Sequence, residues 1–152
     1  MNVRHLYISP GHNFFGRHHQ PAGTHPTLAV AEIQCVAGRG IRGDRFFDFK
    51  DNYKGQATFF SLEIFDALCR ALGLSEKSPG LARRNIIVAG ADLNSLVGVE
   101  FAVQDVRFRG MAECAPCHWM DAAFAPGAEK FLHRRGGLRA QIVTDGIVRV
   151  EP

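Results

Sequence analysis

Two of the four cysteines in this 152-residue chain stand three residues apart, in Glu113-Cys114-Ala115-Pro116-Cys117-His118. Free cysteine packs well as a small hydrophobe, but its reactivity usually decides why it is present. Pro116 stiffens the backbone between the thiols and removes one amide donor. Several chemistries suit the pair. Cys-x-x-Cys-His is the spacing of c-type haem attachment. Thiolate and imidazole are also zinc ligands. A closed zinc site needs four protein ligands, and with no second Cys-x-x-Cys, His12, His18, His19 or His25 would have to help. A thioredoxin-like redox pair needs the motif to open a helix in a βαβ context. A thiolate of the pair can instead bind or carry something. The plain alternative is two buried thiols, and Cys35 and Cys69, among apolar neighbours, are expected in the core.

Arginines and glycines recur together elsewhere. Gly40-Ile41-Arg42-Gly43-Asp44-Arg45 is one such turn; Arg83-Arg84-Asn85 and Arg134-Arg135-Gly136-Gly137 precede strand-like runs. Glycine lets a backbone approach a ligand closely, and consecutive amides can cradle an anion. Guanidinium forks bind phosphate or carboxylate in bidentate fashion. Three such clusters at strand starts can line one mouth, unless each arginine pairs with a local acid such as Asp44 or lies in solvent. His12, His18 and His19 share a loop with Phe14 and Phe15; exposed loop residues and a ligand or switch role both fit them.

The elements that must position these groups are mostly strands. Val3–Ile8 reads as a strand and runs into a loop from Ser9 to Pro26, a length usually reserved for function or mobility. Leu28–Val36, Gln56–Phe60, Asn85–Ala89 and Val99–Phe108 read as further strands. Leu138–Val143 and Ile147–Val150 flank Asp145-Gly146, a two-residue hairpin signal. The clearest helix is Leu62–Leu72. Ser61 is placed to cap it, Leu62, Phe65, Leu68, Cys69 and Leu72 share one face, and Gly73 stops it. Ala91–Leu96 and Gly127–Arg134 suit short helical turns. The expected fold is therefore α+β and mostly β: a barrel-like antiparallel or mixed sheet of about seven strands with one main helix, in a single domain spanning the chain.

Composition narrows the function classes. The hydrophobic fraction of 46% and charged fraction of 22% are ordinary for a globular protein. A net charge of +3 is too small for nucleic acid, which calls for a dense basic stripe. It suits a small anionic ligand. No run of about 18 apolar residues predicts a membrane span. The first residues lack a signal-like apolar region, which leads us to expect a cytoplasmic protein with reduced thiols.

Five segments occur in an order that resembles a known family: Gly40–Arg45, Gln56–Glu63, Arg83–Ile86 with Gly90-Ala91-Asp92-Leu93, Cys114–Cys117, and Arg135–Ala140. Together they resemble the MOSC domain, the module at the C-terminus of molybdenum cofactor sulfurases, which also occurs alone in small bacterial proteins and in the mitochondrial amidoxime-reducing component. The resemblance runs from about Leu28 to the C-terminus. It implies a β-rich fold built around a barrel. It also implies binding of the molybdenum cofactor (molybdopterin), or carriage of sulfur for it, through one cysteine matching Cys117. On that reading Cys117 is both the catalytic thiolate and the metal ligand. Asp44, Arg45, Arg83, Arg84 and Asn85 would hold the anionic pterin, with Asp44 orienting an arginine. Cys114 would be a resolving thiol or a neighbour. In the reductase branch the enzyme reduces N-hydroxylated compounds, which implies an electron-donor protein; a sulfur carrier implies a sulfur donor. The rival readings are a thiol oxidoreductase using Cys114 and Cys117 alone, and a non-enzymatic carrier of cofactor or sulfur.

Overall fold

The computed structural model describes residues 1–13, 21 and 23–152. Phe14, Phe15, His18 and His19 lie outside them. In chain order the strands are β1 (Asn2–Ile8), β2 (Leu28–Val30), β3 (Glu32–Val36), β4 (Gly40–Ile41), β5 (Ala57–Ser61), β6 (Ile86–Ala89), β7 (Glu100–Val103), β8 (Val106–Glu113), β9 (Leu138–Ile142) and β10 (Gly146–Arg149). The helices are α1 (Leu62–Leu72), α2 (Trp119–Ala123) and α3 (Ala128–Phe131), with 3-10 turns at Pro79–Ala82 and Asn94–Leu96. Among the described residues no helix is long and apolar enough to cross a membrane.

Seven strands form one sheet in the order β2-β1-β6-β5-β9-β8-β7, and β10-β3-β4 form a second. The class is α+β and mostly β, as expected. The sheet does not close into a barrel: β2 and β7 remain its two edges. Closure is unnecessary because the small sheet covers one face. Ile33, Cys35, Ile41 and Val148 from that sheet pack into one core with Val3, Leu6, Phe59, Ile86 and Phe108 from the large one. The opposite face is covered by helices, where Phe60 and Ile87 meet Phe65, Leu68, Met120 and Leu132. Alternation along a strand sends successive side chains to opposite faces. In β5 and β6 both faces are buried, which is why Phe59-Phe60 and Ile86-Ile87-Val88 read as continuous apolar runs.

The main helix forms as expected. Ser61 Oγ accepts the Ile64 N–H at 3.2 Å, and Gly73 ends the helix at φ 63°. It joins β5 to β6, the parallel pair in an otherwise antiparallel sheet.

Three local expectations are corrected. Leu28–Val36 is two strands, because the chain switches sheets at Ala31. Val99–Phe108 is a hairpin, turning at Gln104 with φ 52°. Asp145-Gly146 does not close a hairpin: β9 pairs with β5 and β8, whereas β10 pairs with β3. Here the turn redirects the chain. Asp145 Oδ1 accepts the Ala37 N–H at 2.7 Å, and Thr144 Oγ1 accepts the Arg107 N–H at 2.9 Å.

Candidate functional site

The Cys114–Cys117 segment leaves the end of β8 and leads into α2. Its path depends on two glycines before β9. Cys114 N–H donates to Gly137 O at 2.8 Å. A side chain at Gly136 would meet Cys114 O at 2.3 Å, and one at Gly137 would meet Phe59 O at 2.1 Å. Gly137 also sits at φ 109°, where only glycine is at ease. The Gly-Gly pair thus serves backbone approach. Arg84 fastens the same junction from below, donating to Gly136 O at 3.1 Å and Cys114 O at 3.2 Å, and to Ala82 O at 2.9 Å.

Both thiols reach one cleft of about 210 Å³ on the helical side of the large sheet. Arg45, Arg83, Arg84 and Arg139 also line it. Cys117 is half-buried and Cys114 is 4% exposed. Both are free thiols. The two remaining cysteines differ: Cys35 is fully buried between the sheets, but Cys69 is half-buried on α1, short of the core position expected for it.

The arginines do unequal work. Arg83 caps the Pro79–Ala82 turn at φ 56° and spends its donors inward. It reaches Gly11 O at 2.7 Å, Ser9 Oγ at 2.8 Å and Thr27 Oγ1 at 3.1 Å, so it braces both ends of the long loop. Burial and the nearby Arg45 cation push its pKa down to about 10. Arg45 lies over the Phe46 ring at 4.6 Å and donates to Arg83 O at 3.3 Å. Its pKa is also lowered, by burial, with Asp44 opposing. Asp44 is buried and holds the turn together: Oδ1 accepts from Ser9 N–H at 3.0 Å and Oδ2 from Phe46 N–H at 3.2 Å, while Arg45 approaches at 3.5 Å. Asn85 is buried in the sheet and does not line the cleft. It donates to Tyr7 O at 3.2 Å, and its Oδ1 accepts from the Thr58 backbone and hydroxyl at 3.1 and 2.9 Å.

Arg139 was not among the expected site residues, yet it points into the cleft from β9. It lines the cleft beside Cys114; burial works against its charge, but Cys114 and Tyr53 raise its pKa overall. Arg135, from the cluster expected at this mouth, instead lines a different cleft with Glu63 and Asp92. Aromatic rings complete the arginine-lined wall. Phe46 and Tyr53 pack at 5.2 Å, Phe49 and Tyr53 at 4.9 Å, and His12 meets Phe46 edge-on at 5.0 Å. Trp119 lines the same cleft and donates from Nε1 to Leu81 O at 2.8 Å.

The site therefore holds two thiols among four guanidinium groups, with one buried carboxylate as their nearest counter-charge and flat rings at the rim. Such a place draws in an anion with a planar part. Its surroundings also bear on the rival chemistries. β8 is antiparallel to both neighbours, and the cysteines precede a five-residue helix, so the thioredoxin context is missing. Among the described residues no grouping of three or more metal-type ligands includes Cys114 or Cys117.

Residues 47–151 match the family model of the MOSC domain. The chain belongs to the MOSC domain family. The match begins at Phe47, so the Gly40–Arg45 turn of this MOSC domain joins the cleft by geometry from outside the matched segment. The fold is similar to that of the YuaD protein from Bacillus subtilis, with a TM-score of 0.71 at 17% identity, covering 97% of this chain and 90% of that one. A second solved structure, described as a hypothetical protein, matches with a TM-score of 0.63 at 12% identity, covering 98% of this chain and 65% of that one. At these identities the likeness establishes fold alone. No curated protein matches the chain by comparison.

Proposed function

We propose that this MOSC domain binds the molybdenum cofactor in the arginine-lined cleft through Cys117, and that it reduces N-hydroxylated compounds with electrons from a donor protein. The observation that carries the reading is the meeting, in one cleft, of a half-buried thiol with four arginines from three separate stretches of chain.

The residues fit an anionic cofactor. Arg83 and Arg45 are both easier to deprotonate than usual, first because they are buried and then because each has a neighbouring arginine, with Asp44 offsetting only part of this. A phosphate would relieve that crowding. Arg83 and Arg84 have most of their donors committed to carbonyls and hydroxyls, so they contribute charge and hold loops in place. Arg45 and Arg139 are the arms best placed to grip the phosphate. Phe46, Tyr53 and Trp119 offer faces for the pterin ring. Cys117 supplies a soft thiolate ligand. When bound, the cofactor would supply two-electron reduction with removal of an oxygen atom from the substrate. Half-burial of Cys117 favours this ligand role over sulfur delivery, because a carrier must expose its sulfur to a partner.

The test is molybdenum and pterin content of protein made in a host that synthesises the cofactor. Wild type should carry both. Cys117→Ser should lose at least about nine-tenths of the metal, and Cys114→Ser should keep most of it. Equal loss in the two variants, or a metal-free wild type whose activity needs both sulfurs, would replace this reading with the dithiol enzyme. Cofactor binding without reduction, given donor and substrate, would make the protein a carrier.

A further inference from the structure

We propose a second site on this protein: a divalent first-row transition-metal site formed by His118, Asp121 and Glu129. One ligand atom from each of the first three residues lies within 4.8 Å of the others. The sequence explains part of this. His118 precedes α2 and Asp121 lies in its first turn, three residues on, which stacks the two side chains along one edge. Glu129 comes from α3, and Asp121 Oδ1 accepts its backbone N–H at 2.8 Å, pinning the two short helices together.

A second observation comes from the end of β8. Glu113 lines the same cleft as Asp121 and Glu129, and its Oε1 is buried with no hydrogen-bond partner among the described residues. A buried carboxylate oxygen left without a partner is costly, so something is expected to meet it. None of the three carboxylates forms an ion pair among the described residues, although Lys130 and His133 line the same cleft. A cation held by His118, Asp121 and Glu129 would answer two of them directly and bring positive charge to the cleft that Glu113 lines. The cleft shares only Ala115 with the arginine-lined one, so this site stands apart from the proposed cofactor site and does not depend on it.

One imidazole nitrogen with two carboxylate oxygens suits Zn²⁺, Mn²⁺ or Fe²⁺, whereas all-oxygen sets suit Mg²⁺ and Ca²⁺. The sequence alone grouped His118 with the cysteines as a zinc ligand; the structure groups it with carboxylates. An ion here would tie the start of α2, which directly follows the Cys114–Cys117 loop, to α3. Its role is then to hold that loop firm.

The test is calorimetric titration of the full chain, after dialysis against a chelator, with Zn²⁺, Mn²⁺ and Mg²⁺ in turn. We expect one Zn²⁺ or Mn²⁺ per chain. At a hundredfold excess over Kd the unfolding midpoint should rise by about 5–10 °C. Asp121→Asn and Glu129→Gln should each weaken binding at least about tenfold. Asn at position 121 keeps the oxygen that accepts from Glu129, so circular dichroism and the ion-free midpoint should be unchanged. A Cys114→Ser/Cys117→Ser double variant should bind the ion as wild type does. The proposal is overturned if both acid variants bind normally, if the double cysteine variant alone loses the ion, if Mg²⁺ alone binds, or if neither Zn²⁺ nor Mn²⁺ binds at millimolar concentration.

Discussion

Cys35 and Cys117 are the same residue in two regions of one small fold, and the regions give them opposite characters. Cys35 lies between the two sheets, fully buried among Ile33, Ile41 and Val148. Burial alone pushes its pKa up to about 12. Cys117 sits on the helical side of the large sheet, half-buried in a cleft with four guanidinium groups. The inter-sheet layer has hardly any polar side chains and packs to exclude water. The cleft has more charge than its own residues neutralise. Apolar packing holds the fold, and the charge left over on the other face is free to meet a ligand.

The sharpest way to break this contrast is thiol alkylation at neutral pH with peptide mapping. Burial pushes the Cys35 thiol up to about 12, so its thiolate is scarce at neutral pH even before access is counted. Cys117 should label first and Cys35 last, by at least about a hundredfold, since Cys35 is also fully buried. Cys69, half-buried and raised by burial and by Asp66, should also lag behind Cys117. Rapid labelling of Cys35 in the folded protein would erase the distinction between the regions.

A second test compares charges in and out of the cleft. Asp44 has a fully buried side chain serving two backbone donors and Arg45, whose own side chain is 10% exposed. Asp44→Ala strands a buried cation and two amides, and should cost about 3–5 kcal/mol in denaturant unfolding. Glu100, by contrast, pairs with Arg107 and Arg109 at the surface. Glu100→Ala should cost no more than about 1 kcal/mol. Similar losses for the two would mean that Asp44 is not the organising carboxylate of this turn.

How much of this could be read from the residues differs between the regions too. The core was legible: α1 announces itself by its cap, its apolar stripe and Gly73, and the doubly covered strands by runs such as Ile86-Ile87-Val88. Turns were harder. Nothing in Val103-Gln104-Asp105-Val106 signals a hairpin, because Gln104 adopts a left-handed φ that its type seldom takes. Asp145-Gly146 signals one falsely, because its carboxylate is claimed by Ala37 from another strand. In the site, the approach of Arg45, Arg83 and Arg84 to the cysteines followed from motif order, but Arg139 was overlooked. In β9 it alternates with Leu138 and Ala140, which sequence reading assigns to an outward face. Only the β5-β9-β8 pairing turns that face into the cleft floor. Tyr53 and His12 lie in loops whose destinations no periodicity encodes.

His12 gives the smallest effect and the finest probe of the cleft's charge. It is half-buried beside Phe46 and Phe49. Its pKa is lowered by burial first, then by the Arg45 and Arg83 cations, with Asp44 opposing and His25 adding a little. Lowering means that the unfolded chain holds this proton more tightly than the folded one. Stability contributed by neutral His12 is therefore complete above the unfolded value of 6.5 and is lost as pH falls below it toward the lower folded value. The wild type should thus show unfolding free energy rising with pH through the window just below 6.5, and His12→Gln should flatten that slope. The difference will be modest, since a half-exposed ring is screened by water. Inorganic phosphate makes the probe specific. An anion seated between Arg45 and Arg139 would offset the cations that repel a protonated His12, so adding phosphate should shrink the wild-type slope toward that of the variant. A slope of the opposite sign, or one that phosphate leaves untouched in wild type, would mean that the cations around His12 are already neutralised, and that the cleft holds no unmet charge for a ligand to answer.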